Sequence, residues 1–169
     1  MSDNGATIRS YDPDAAGDRR ALWRFKTAFE TELGGTTGGA EKSTAYEAKL
    51  TDDYRRRWLD WVQRCVEDDG RCLSVAEADG AIGYVFVLPE RLSFVWDAAV
   101  VNELYVVPEA RGGGTADALL KRALEVAREQ DLPLDRLLLD VDEANGRARR
   151  FYERHGFEPW GEVLARELR

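Results

Sequence analysis

The chain has 169 residues, 44 % of them hydrophobic, and a formal net charge of −8 with a single histidine. That length suits one domain, residues 1–169, with a sizeable core. The negative balance disfavours nonspecific binding to nucleic acid or an anionic membrane, and no apolar run nears the ~20 residues that span a bilayer. The opening "MSDNGATIRSYDP" has neither a basic start nor an apolar core, so it reads as a short frayed tail and not as a secretory signal. Cys65 and Cys72 lack CxxC spacing, and one histidine cannot complete a Cys/His zinc set, so no metal is expected. Both cysteines are expected as core thiols in a reducing, cytoplasmic compartment.

In chain order, "ATIRSY" is a short strand. A helix follows, capped by Asp12 with Pro13 in its first turn; Leu22, Phe25 and Phe29 recur at helical spacing, and Gly34 and Gly35 end it. "GGTTGGAEKST" is expected as a flexible connector. A second helix runs from Thr51, its cap, to Asp69, with Trp58, Trp61, Val62 and Cys65 on one apolar face. "RCLSVAEADGAIGYVFVLPE" reads as a hairpin turning at Asp79-Gly80. "RLSFVWDA" is a strand end or a loop, and "AVVNELYVV" is a central strand stopped by Pro108. A helix spans Gly114 to Glu129, "DRLLLDV" is a short buried strand, "EANGRARRFYERHG" is a helix, and "GEVLARELR" is a last strand. The last strand either finishes the sheet or pairs with a second copy in a homodimer. Strand–helix–strand from Ala99 to Val141 forms a right-handed unit with two parallel strands. The whole is an α/β protein, a mixed sheet with helices on its faces.

The stretch "VVPEARGGGTADALL" leaves the carboxyl end of a strand and enters a helix through three glycines. The first N–H groups of a helix lack internal partners and sit at the positive end of its dipole, and glycine lets a ligand approach closely. These features make an anion site suited to phosphate. Neither GxxxxGK[ST] nor GxGxxG is present, since position 117 is Asp117. A tight turn is the alternative.

Arg111, Gly114 and Ala116 fill a [Q/R]xxGx[G/A] pattern after a strand carrying Leu104 and Val106. Further on, Val141, Asn145, Ala148, Tyr152, Gly156 and Phe157 fill a strand–Asn–helix block. The combination resembles the GNAT superfamily of N-acetyltransferases. The resemblance implies the acyl-CoA N-acyltransferase fold: a mostly antiparallel sheet with a parallel pair splayed at the acyl-CoA site. By resemblance, backbone groups of Leu104, Tyr105 and Val106 hold the pantetheine arm of acetyl-CoA. The loop of Arg111, Gly112, Gly113, Gly114, Thr115, Ala116 and Asp117 cradles the pyrophosphate, and Asn145 makes a polar contact or a structural hydrogen bond. Glycine at 113 and the acidic Asp117 depart from common relatives, which leaves the cradle to backbone donors.

The implied reaction is direct transfer of an acetyl group to a primary amine. Tyr152 corresponds to the family's tyrosine that protonates the leaving thiolate. The base is Glu103 or Asp140, two carboxylates in apolar strands where burial would raise the pKa, and Asn102 can orient a water. His155, in a last helical turn, is read as structural. The acceptor is unidentified, because the helices through Trp23 and Trp58 match no pattern. A noncatalytic acyl-CoA-binding or interaction domain with the same fold is the alternative, and Tyr152 with the carboxylates favours the enzyme.

Overall fold

The structure is a computed structural model that describes residues 5–36 and 39–169. The expected N-terminal tail at residues 1–4 and the middle of the expected glycine-rich connector, Thr37 and Gly38, lie outside the described residues. Five strands, β1 (Thr7–Ser10), β2 (Leu73–Glu77), β3 (Ala81–Val87), β4 (Ala99–Val106) and β5 (Leu137–Leu139), form one sheet in that order. All neighbours are antiparallel except β4 and β5, which are parallel as expected. The helices are α1 (Ala16–Thr36), α2 (Gly39–Ala48), α3 (Asp52–Asp68), the one-turn α4 (Glu90–Ser93), α5 (Thr115–Arg128) and α6 (Gly146–Arg154).

Strand periodicity divides the apolar residues between two faces. Val75, Tyr84, Phe86 and Tyr105 meet Leu22 and Phe25 of α1 and Trp58, Val62 and Cys65 of α3 on one side. Ala76, Val85, Val87, Val101 and Val106 meet Leu119, Leu120, Ala123 and Val126 of α5 on the other, with Phe151 of α6 at its margin. The two cysteines are buried free thiols, and burial pushes the Cys65 thiol up to about 11. Asp79 and Gly80, both at positive φ, make the hairpin turn between β2 and β3. Thr51 caps α3 as expected, its hydroxyl accepting from the Tyr54 N–H at 3.1 Å.

Several elements differ from expectation. Asp12 does not cap α1: its carboxylate accepts from the Asp14 N–H at 2.9 Å in a local turn, and the helix begins at Ala16. Pro13 disfavours helical geometry at the residue before it, which holds Asp12 outside the helix. Asp18 supplies the acidic first turn, with the Asp12 N–H at 2.9 Å and two bonds from Arg9 at 2.8 Å. Gly34 and Gly35 do not end α1, which continues to Thr36. Each glycine costs ~1 kcal/mol in a helix, and the ion pairs of Glu32 in the preceding turn oppose that cost. Most of the expected connector is helix α2, tied down by ion pairs from Lys42 to Asp142 at 2.6 Å and from Lys49, just past its end, to Glu30 at 2.8 Å.

"RLSFVWDA" completes α4 and then turns at Asp97, which has φ 55°. β5 has three residues and is half-buried, because it lies at the sheet's edge. "GEVLARELR" forms no strand, and Val163, Leu164 and Leu168 are exposed. Its apolar residues stand at 163, 164, 165 and 168, so they do not alternate and present no single face to a sheet.

Candidate functional site

β4 and β5 pair only from Ala99↔Leu137 to Val101↔Leu139. β4 then runs on to Val106 with no strand on its β5 side among the described residues. The parallel pair is therefore open from Asn102 onward, where the splay was expected. A bulge sits at the same point. Phe86 faces Glu103 and Val87 faces Val101, so Asn102 is an extra residue in β4. The bulge inverts the side-chain alternation. Val101 packs on the α5 face, yet Glu103 and Tyr105 turn to the α1–α3 face.

Glu103 is 4 % exposed. Its Oε2 accepts a hydrogen bond from the Lys26 ammonium of α1, while its Oε1 is buried with no hydrogen-bond partner among the described residues. Lys26 also reaches Glu30 Oε1 at 2.6 Å and lies 5.0 Å from the Trp58 ring. Burial pushes the Glu103 carboxyl up, the charge and hydrogen bond of Lys26 pull it back, and the net direction is upward. Burial also acts against the Lys26 charge, but Glu103 and Glu30 outweigh it and hold its pKa above that of an ordinary lysine. Asp140 is different: it lies beyond the end of β5 and is exposed.

Past β4, a short 3-10 turn at Pro108–Ala110 leads into the glycines. Gly112 and Gly114 hold φ 83° and 87°, a left-handed conformation that other residues rarely adopt, and Gly114 is the N-cap of α5. No N–H group from Gly112 to Asp117 finds a backbone acceptor among the described residues, and the first to do so is that of Ala118, on the Gly114 carbonyl at 3.0 Å. These donors gather at the helix start, at the positive end of its dipole, an arrangement that suits an anion.

Arg111 folds back beneath this loop. Its Nε donates to the Val106 carbonyl at 2.9 Å, its Nη2 pairs with Glu32 at 2.7 Å, and its guanidinium lies 5.6 Å from the Tyr105 ring. Glu32 also binds Arg147 of α6 at 2.7 Å, so one carboxylate ties α1, the loop and α6 together. Asp117 is tied to α6 as well, 2.6 Å from His155 Nε2 and 3.3 Å from Arg154. Burial would raise the Asp117 carboxyl, but these hydrogen bonds outweigh it and hold it below the ordinary range.

Asn145 caps α6, its side chain accepting from the Ala148 N–H at 3.2 Å. Tyr152 is half-buried on α6, its ring 5.1 Å from Phe151 and 5.5 Å from Phe157. Burial pushes its hydroxyl up to about 12, so it is a neutral phenol at pH 7.

A sequence model of the Acetyltransferase (GNAT) family matches residues 39–157. The chain belongs to that family. The mycothiol acetyltransferase of Salinispora tropica is a GNAT relative 32 % identical over 162 residues, which cover 93 % of this chain and 46 % of that protein. This chain therefore spans about half the length of that relative. Among solved structures, the GCN5-related N-acetyltransferase from Ralstonia eutropha JMP134 aligns with TM-score 0.68 at 20 % identity, covering 96 % of this chain and 99 % of that one. The PaiA N-acetyltransferase from Thermoplasma acidophilum, in complex with coenzyme A, aligns with TM-score 0.68 at 19 % identity, covering 94 % and 91 %. Those two likenesses concern the GNAT fold.

The motif residues Leu104, Val106, Arg111, Gly114 and Ala116 thus stand along one path, the open edge of β4, the glycine turn and the first turn of α5, whereas Asn145 and Tyr152 stand on α6. Sequence reasoning missed Lys26, Glu30 and Glu32. Lys26 and Glu30 carry a signal, because Lys26 lies four residues after Leu22 and three before Phe29, inside the apolar stripe of α1. A lysine there, with a glutamate four residues on, marks a buried pair. Glu32 carries none, since its partners are 79 and 115 residues away.

Proposed function

We propose that residues 1–169 act as one domain that transfers an acetyl group from acetyl-CoA to a primary amine. The observation that carries this reading is the open edge of β4, which runs from a buried carboxylate with a free oxygen to a cradle of unpaired N–H groups. In this reading, the backbone of Leu104, Tyr105 and Val106 holds the pantetheine arm, and the N–H groups of Gly112 to Asp117 hold the pyrophosphate. The room left by Gly112, Gly113 and Gly114 fits that group. Arg111 shapes the loop from below, and Asn145 orders the start of α6 while its amide contacts the coenzyme. Bound there, acetyl-CoA supplies an activated thioester carbonyl.

Glu103 Oε1 accepts a proton from the acceptor ammonium, which frees the nitrogen lone pair to attack that carbonyl. As the carbon–nitrogen bond forms the carbon–sulfur bond breaks, Tyr152 gives its phenolic proton to the departing sulfur, and the second proton that the nitrogen sheds on becoming an amide returns to the phenolate by way of solvent. Glu103 is favoured over Asp140 as base because it is buried on the opened part of β4, whereas Asp140 is exposed beyond the end of β5. Two buried free thiols support a reducing, cytoplasmic setting.

The test is a screen of thiol release from acetyl-CoA over primary amines: polyamines, amino sugars, amino acids and peptide N-termini. Turnover with at least one amine is expected, and loss of it in Glu103→Gln. Saturable CoA binding with no turnover on any amine would favour a noncatalytic acyl-CoA-binding domain.

A further inference from the structure

Lys26 is the counter-charge that the buried carboxylate Glu103 depends on. Five polar or charged groups face Glu103 from the elements around it. They are Lys26 and Glu30 from α1, Lys49 from just past α2, Tyr54 from α3, and Tyr84 from β3. Among the described residues only Lys26 binds Glu103 directly, on Oε2. The same ammonium is shared with Glu30 at 2.6 Å, and Glu30 is held in turn by Lys49 at 2.8 Å, whose side chain is about one-third exposed. A single buried cation therefore serves two buried carboxylates, and among the described residues only Glu30 pairs with a second cation. The hydroxyl of Tyr84 is buried without a partner among the described residues, as is Glu103 Oε1.

We infer that Lys26 is a positioning residue for Glu103, keeping it ionised in an apolar site and fixing which oxygen stays free, and that Glu30 sets the strength of this effect by competing for the same ammonium. This deepens the reading of Glu103 as the base and rests on it. The geometry gives opposite signs for the two neighbours. Removing the Lys26 charge leaves a buried carboxylate uncompensated and favours its neutral form. Removing the Glu30 charge takes away a like charge and leaves the whole ammonium to Glu103, favouring the ionised form. Opposed shifts follow from charge alone, so the acid limb of turnover, with whichever amine of the panel is acetylated, is read beside the titration: it moves with the Glu103 midpoint if Lys26 positions the base, and stays in place if the cluster is only structural.

The test is a carbon-13 NMR titration of glutamate carboxyls in the full chain, with the Glu103 signal assigned by its loss in Glu103→Gln. In Lys26→Met the Glu103 midpoint rises by about one pH unit or more; in Lys26→Arg it stays near wild type; in Glu30→Gln it falls. An unmoved or lowered midpoint in Lys26→Met, or a raised or unmoved one in Glu30→Gln, overturns the inference. Should Lys26→Met fail to fold by circular dichroism, Glu30→Gln decides alone. Thiol release from acetyl-CoA by Glu103→Gln over the same amine panel separates the two claims. Full turnover there removes the base reading whatever the titration gives, whereas lost turnover with unmoved midpoints removes only the role of Lys26.

Discussion

One extra residue, Asn102, decides where Glu103 points. Without the bulge, Glu103 would share the α5 face with Val101; with it, the carboxylate enters the α1 side and meets Lys26. Tyr152 belongs to a different environment. Its ring is packed between aromatic neighbours, and its raised pKa keeps the proton on the phenol across the neutral range. A phenol that serves only as packing would be replaced by phenylalanine without loss. The proposed donor role predicts that Tyr152→Phe slows turnover by roughly a hundredfold, the lower end for loss of a general acid. CoA affinity by calorimetry should stay within about twofold of wild type on this account, since the affinity is assigned to backbone donors. Unchanged turnover would reject the role.

Around the site, long-range ion pairs add to the apolar contacts that join the elements. Glu32 of α1 binds Arg111 under the glycine loop and Arg147 on α6, and Asp117 of α5 binds His155 and Arg154 at the other end of α6. α6 has no fully buried residue, and these pairs add to the packing of Phe151 in placing it. Such partly exposed pairs contribute under about 1 kcal/mol each, so Glu32→Ala should lower the melting temperature by only a few degrees. Its larger effect should be on the loop: CoA affinity falls severalfold as Arg111 loses its tether. Wild-type affinity in that variant would show that the loop holds its shape without the clamp. These pairs were not legible in the sequence, because nothing local links residues so far apart in a chain this rich in charge. Helix α2 was also hidden: its glycines read as a loop, and the contacts that hold it, to Asp142 and Glu30, are tertiary.

Across the whole molecule, the legible features were those fixed by short-range pattern. The Asp79-Gly80 hairpin, the Thr51 cap and the parallel pair around α5 follow from turn chemistry, capping and crossover handedness. So does the glycine turn, whose positive φ at Gly112 and Gly114 only glycine adopts readily. The expected last strand failed because a strand-like composition without alternation gives the sheet nothing to bury. Of the candidate site, the glycine turn and the start of α5 could be read from motifs, whereas the surroundings of Glu103 depend on how α1, α2 and α3 pack over the sheet. The proposed acetyl transfer therefore turns on the N–H groups at the start of α5. Gly113 gives a clean probe of them. Unlike its neighbours it has an ordinary φ, and an added Cβ would meet only the Ala110 carbonyl at 3.8 Å, so the fold should tolerate a side chain there. A glutamate would place a negative charge among the N–H donors. Calorimetric titration of CoA into the wild-type chain and Gly113→Glu is the most direct measurement. Saturable binding by wild type, and its loss in Gly113→Glu at an unchanged melting temperature, is the predicted result; no binding by wild type, or equal affinity in the variant, would contradict the account.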